Sequence, residues 1–171
     1  MKITVLLPNT AMGGAEKLHF NLLDNWLKQG LEVELVVLFN LHSGEVDQDA
    51  LSLLNPKCKV TFLHLKNFRS ALFPLIRFFR YHHTDIILSP MWPLTCFSIL
   101  AWLFSGSKAK LFISEHTNIS ASASRETNST LFIIQISMFF LYRFASGIIA
   151  VSQGVKNDIA ILSKLDKSKI Q

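Results

Sequence analysis

Two short stretches hold the groups best suited to chemistry. The first is Gly13-Gly14. It follows an apolar run at residues 3–7, Pro8 and a polar loop containing Asn9, and it leads into Ala15 and Glu16 at the start of a helical pattern. Strand, glycine loop and helix in that order put small residues and free backbone N–H groups at the positive end of a helix dipole, where a phosphate or polar ligand can sit. The same loop also serves as a tight turn between strand and helix, and the motif alone leaves both uses open. The second stretch is Glu115-His116-Thr117, just after another apolar run. A histidine at a strand end can hydrogen-bond a sugar hydroxyl or a backbone carbonyl, with a charge tunable near neutrality; it can also simply cap a loop. His19, His42, His64, His82 and His83 share no spacing and no acidic partner, and are read as structural or exposed.

Several chemistries are excluded by what these stretches lack. The dinucleotide fingerprint G-x-G-x-x-G is absent, since the loop reads Ala11-Met12-Gly13-Gly14-Ala15-Glu16. The second strand ends in Val37-Leu38-Phe39-Asn40, without the acid that holds a ribose. A dehydrogenase is therefore disfavoured, and tight dinucleotide binding would revive it. No phosphate loop of the G-x-x-x-x-G-K type, no G-x-S-x-G, no H-E-x-x-H and no paired-cysteine metal site occurs. No cofactor or metal is expected. No helix-turn-helix or zinc module points to nucleic acid. Cys58 and Cys96 lie in or beside apolar segments and read as buried free thiols of a reducing compartment.

The elements that position these residues follow from periodicity. Strands are expected at residues 2–7, 31–39, 59–65, 85–88, 110–114 and 147–151. Helices are expected at 14–28, 46–54, 70–81, 93–104, 130–144 and 153–162, with a polar stretch of no clear periodicity at 115–128. Strands and helices thus alternate end to end, and the branched runs lack polar alternation. That pattern predicts an α/β, Rossmann-like parallel sheet with helices on both faces. Ligands of such sheets bind at the carboxyl ends of the strands, which places residues 9–14, 89–92, 115–118 and Ser152 along one rim.

With 171 residues, half of them hydrophobic, the chain has room for one well-filled domain. Its net charge of +5 is uneven: residues 1–49 hold 3 basic and 7 acidic side chains, residues 50–171 hold 14 and 5. A basic half suits an anionic partner, or is an ordinary solvated face. On a helical wheel of residues 70–81, Phe68, Leu72, Leu75, Ile76 and Phe79 share one side, while Arg69, Arg77 and Arg80 gather on another with Phe73 among them. Arginines amid phenylalanines suit a lipid surface. The charge-free residues 86–104 are long enough to span a bilayer. Ser89-Pro90 and Trp92-Pro93 break them into strand, turn and buried helix instead, so no spanning segment is expected.

The chain resembles the amino-terminal domain of a retaining glycosyltransferase of the GT-B fold, in the family-four group that builds bacterial glycans such as polysaccharides and lipopolysaccharide. The resemblance rests on Pro8 and Gly13-Gly14-Ala15-Glu16 after the first strand, on residues 85–92, on Ser114-Glu115-His116-Thr117, and on Ile148-Ile149-Ala150-Val151-Ser152 leading into Val155-Lys156. These motifs stand in the family's order over residues 1 to about 160. The resemblance implies transfer of a sugar from a nucleotide-sugar co-substrate to a glycan or lipid-linked acceptor, with retention of configuration. Gly13, Gly14 and Glu16, with Asn9, Trp92, Glu115 and Thr117, would face the substrates and the donor phosphates, and His116 would contact the transferred sugar. The helix with Arg69, Phe73, Arg77 and Arg80 would lie on an anionic membrane surface, the protein being cytoplasmic and peripheral on the inner face. Residues 1–171 form one acceptor-side domain in this reading. The family's donor-binding domain, with its basic clamp and glutamate pair, is not among them, so the chain is expected to be inactive alone: a fragment, a truncated product or half of a split enzyme. The other expectation is a non-catalytic Rossmann-like module docking on membrane or protein.

Overall fold

A computed structural model describes residues 1–11, 13–39, 52–123 and 128–171. The helix expected over 46–54 and the loop before it fall almost wholly outside these residues. Among the described residues, six strands form one sheet: β1 (Lys2–Leu7), β2 (Glu32–Phe39), β3 (Lys59–Leu65), β4 (Ile86–Pro90), β5 (Lys110–Glu115) and β6 (Gly147–Ala150), in the order β3-β2-β1-β4-β5-β6. Every pairing is parallel. Between them lie α1 (Gly14–Lys28), α2 (Leu72–Tyr81), α3 (Leu94–Ser105), α4 (Ile119–Ala123), α5 (Asn128–Leu141) and α6 (Gln153–Ser163).

The strand residues alternate between two cores, as the two-residue period of a strand requires. Val5, Leu7, Leu35 and Val37 pack with Phe20 and Leu23 of α1. Leu6, Val36 and Leu38 join the cluster that holds Leu75 and Phe79 of α2, Ile99 of α3, Met138 of α5 and Ile159 of α6. A sheet buried on both faces needs near-continuous apolar strands, which explains the unbroken runs in the sequence. Strand order reverses between β1 and β4, so the carboxyl ends of β1, β4, β5 and β6 lie side by side at a topological switch point.

Helix ends differ from expectation for local reasons. Gly106, at φ +72°, ends α3 one residue later than expected. The last turn of α5 tightens into a 3₁₀ turn at Tyr142–Phe144. Within the polar stretch sits the short α4, held by side chains rather than by an apolar stripe. Asn118 Oδ1 accepts from the Ala121 N–H at 3.1 Å, and Asp158 of α6 accepts from the Ser120 N–H at 3.1 Å. At the far end, Ile170 bridges to Ile148 and so extends the edge beside β6. Among the described residues, no helix is long and apolar enough to cross a membrane.

Candidate functional site

The glycine loop folds by hydrogen bonds of its own. Asn9 Oδ1 accepts from the Ala11 N–H at 3.0 Å, and the Gly13 N–H donates to the Ala11 carbonyl at 2.8 Å. Asn9 therefore shapes the loop. Gly13 is extended backbone, with φ −80° and ψ 177°, so torsion does not demand a glycine there. Nor does space: a Cβ on Gly13 would sit 2.5 Å from the Glu16 carboxylate, the flexible end of a side chain from the first turn of α1 that can swing aside. Gly14 begins α1 and faces open space, with no atom within 4 Å of an added Cβ. No side chain caps α1, so an exposed pair of glycines presents the first-turn N–H groups of a helix.

Four strands on in sequence but separated from β1 only by β4 in the sheet, β5 ends in Glu115. The residue is only 1% exposed. Oε2 accepts from the Trp92 backbone N–H at 3.1 Å, and Oε1 accepts from the Tyr142 hydroxyl. Thr95 Oγ1 lies 3.2 Å from the same Oε1 and 2.9 Å from the Tyr142 oxygen, so its one proton serves one or the other. Burial pushes the Glu115 carboxyl up to about 7, reinforced by Asp158, while these donors pull it back down. Burial and the facing carboxylate also raise the Tyr142 phenol well above its ordinary value. The arrangement fixes the turn after β4: the Met91 N–H donates to the Ser114 carbonyl at 2.8 Å, and the Trp92 indole N–H donates to Ser137 Oγ of α5 at 3.2 Å. Trp92, Glu115 and Thr117 line one small cavity of about 180 Å³ with Ile119, Ser122 and Ile134.

His116 joins the two halves of the rim. Its Nε2 lies 3.1 Å from Ser114 Oγ, and its ring centroid lies 5.1 Å from that of His19, the planes tilted by 59°. Partial burial, and then the neighbouring His19, lower the His116 pKa to about 4. His19 is itself 1% exposed, and burial lowers its pKa against the opposing pull of the Ala15 carbonyl and Glu16. Both rings are neutral at pH 7. With Nε2 of His116 engaged by Ser114, its Nδ1 remains to meet a hydroxyl, which can both donate and accept. Sequence reasoning missed His19, Thr95 and Tyr142. The available signal for His19 was its place on the buried stripe of α1, one turn before Leu23; for Tyr142 it was a lone phenol ending an apolar helix.

The helix assigned to a membrane keeps its two faces. Leu75 and Phe79 are buried, Phe73 is 80% exposed, and Arg69, Arg77 and Arg80 face outward. Arg80 has a structural task as well: its guanidinium donates to the carbonyls of Phe104 and Ser105 at 3.0 and 3.2 Å, closing the end of α3. It also lines a cavity of about 790 Å³ at the amino ends of β1, β4 and β5 with Asp85 and Lys110. That edge is opposite the glycine loop and His116. A second exposed apolar stripe runs along α5 through Phe132, Ile136 and Phe140, which the wheel could not reveal in a helix apolar on all sides.

The family model described as Glycosyltransferase Family 4 matches residues 12–171. No curated protein sequence matches the chain. Among solved structures, it resembles the apo form of a lipopolysaccharide outer core galactosyltransferase, WaaB, with a TM-score of 0.74 at 15% identity, covering 100% of this chain and 44% of that one. It also resembles sucrose-phosphate synthase from Thermosynechococcus elongatus, with a TM-score of 0.66 at 12% identity, covering 100% and 47%. A third likeness is to an α-glucosyltransferase in complex with UDP and a 13-mer DNA, with a TM-score of 0.56 at 15% identity, covering 96% and 39%. The chain thus spans less than half the length of these proteins, whose likeness is one of fold: it has the Rossmann-like half of a GT-B glycosyltransferase. Given the match over residues 12–171, the chain belongs to Glycosyltransferase Family 4.

Proposed function

We propose that this chain is the acceptor-side lobe of a retaining sugar transferase that takes its sugar from a nucleotide-sugar. One observation carries the reading: the uncapped start of α1 at Gly13-Gly14 and the neutral His116 after β5 share one rim, linked by the buried His19 of α1 that packs against His116. First-turn N–H groups suit the diphosphate of an activated sugar. A neutral imidazole suits a hydroxyl of the transferred ring. Trp92 and Thr117 would contact the acceptor, while Glu115 and Asn9 act behind them, holding the turn and the loop in shape. UDP bound to one structural neighbour supports a nucleoside diphosphate as the leaving group. The activity of another supports a glycan or lipid-linked acceptor.

Departure of a nucleoside diphosphate needs charge stabilisation, the largest catalytic term for such chemistry. The described rim has exposed N–H groups and neutral imidazoles but no cationic clamp, so a second, donor-binding lobe supplies it in this reading. The acceptor places the protein at the inner face of the cytoplasmic membrane, with Arg69, Phe73 and Arg77 toward anionic lipid. The test is transfer of radiolabelled sugar from a panel of nucleotide-sugars to lipid-linked acceptors. The 171-residue chain alone gives no product, and product forms when a donor-binding lobe is present in the same reading frame or as a separate polypeptide. Turnover by the isolated chain contradicts the proposal.

A further inference from the structure

His19 lies behind the rim and touches no open groove, yet it packs against the one titratable ring that faces it. Its Nδ1 lies 2.7 Å from the carbonyl oxygen of Ala15, one turn earlier in α1. A carbonyl only accepts, so Nδ1 carries the proton and the ring is locked as one tautomer, with the lone pair on Nε2. The ring is almost fully buried and cannot swing away. His116 meets it at 5.1 Å and is held on its other side by Ser114 Oγ, 3.1 Å from Nε2. Between the two contacts only Nδ1 of His116 is left for a ligand.

We infer that His19 is a positioning residue: its locked ring is the wall that sets the orientation and tautomer of His116 at the rim. The inference rests on His116 being the group that meets the sugar, and it assigns His19 no contact with substrate. The groups facing the pair are few. Glu16 and the Ala15 carbonyl face His19 from α1, and Ser114 faces His116 from β5. The Glu115 carboxylate turns the other way, into the contacts with Tyr142 and Trp92. A charge on His116 would thus find no carboxylate partner on β5, and the buried ring beside it disfavours that charge further, in line with a His116 pKa of about 4.

The test is long-range ¹H–¹⁵N spectroscopy of the imidazoles of the ¹⁵N-labelled chain between pH 4 and 8. In the natural chain His116 is expected as a single neutral tautomer throughout the upper part of that range. His19→Ala removes the wall: His116 becomes a mixture of tautomers and its titration moves from about 4 towards the ordinary 6.5. His19→Phe restores a ring without a titrating group and is expected to restore the single tautomer. A folded His19→Ala chain with an unchanged His116 overturns the inference, as does a His19→Phe chain as mixed as the alanine variant. If His19→Ala loses its folded spectrum, His19→Leu takes its place, and an unchanged His116 there overturns the inference equally. None of these readouts needs a donor, so the inference can fail while the transferase reading stands, and the reverse.

Discussion

At the scale of single residues, Glu115 shows how burial redirects a side chain whose type suggests substrate contact. The sequence places an acid next to His116 at a strand end, but it cannot show that Tyr142, 27 positions away, reaches back to the same carboxylate. That contact depends on how α5 packs, and no local spacing encodes it. It has a consequence for stability. The folded carboxyl titrates near 7, above the usual 4.5. A group whose folded pKa is raised contributes stability that is present below the unfolded value and lost as pH rises through the folded one. Glu115→Gln is therefore expected to gain on the natural chain between pH 4.5 and 7, by on the order of 3 kcal/mol, as read by urea unfolding at several pH values. A pH-independent difference would contradict the burial argument. Tyr142→Phe removes a donor to the charged form, so it should cost about 1–3 kcal/mol and cost more at pH 8 than at pH 5. His116 works in the opposite sense. Its lowered pKa adds stability that is present above 6.5 and lost as pH falls towards 4.

At the scale of elements, the strands and the long amphipathic helices were legible because their apolar positions repeat at the right period. The sheet's two cores follow directly from that alternation. The short α4 was not legible, since five residues hold no period and its anchors, Asn118 and Asp158, are read only in three dimensions. The glycine loop was legible as a motif, but its reason was not. Nothing inside the fold requires either glycine: Gly13 is ordinary extended backbone facing only the flexible end of Glu16, and Gly14 faces open space. Gly14→Val should accordingly leave the fold intact, changing stability by no more than about 1 kcal/mol, or a few degrees in Tm. A collapse of the melting transition would assign Gly14 a structural role instead. For α2, Arg80 closes α3, so the membrane test spares it. Replacing Arg69 and Arg77 with Gln should weaken binding to anionic vesicles by about thirtyfold at low salt, at roughly 1 kcal/mol per arginine, and by less at high salt, where charges are screened. Equal binding by the natural and substituted chains would retire α2 as the lipid-facing element.

At the scale of the molecule, one parallel sheet brings four loops to one edge, and the chemistry is divided among them. β1 delivers the glycine loop, β4 the Trp92 turn, β5 His116, and β6 the Ser152 cap that starts α6 by accepting from the Val155 N–H. This placement was legible in the sequence, because carboxyl-end loops of a parallel sheet must share an edge. What the sequence could not show is how the loops interlock: Glu115 behind Trp92, and His19 behind His116. The central claim is that Gly14 and His116 face an activated sugar. The direct measurement is the sugar-transfer rate of Gly14→Val and His116→Ala in the two-lobed enzyme, compared with unsubstituted enzyme of matched Tm. Each should lose about 100-fold or more in kcat/KM, the scale of about 2.7 kcal/mol of lost transition-state contact. Rates within twofold of the unsubstituted enzyme in both variants would contradict the account.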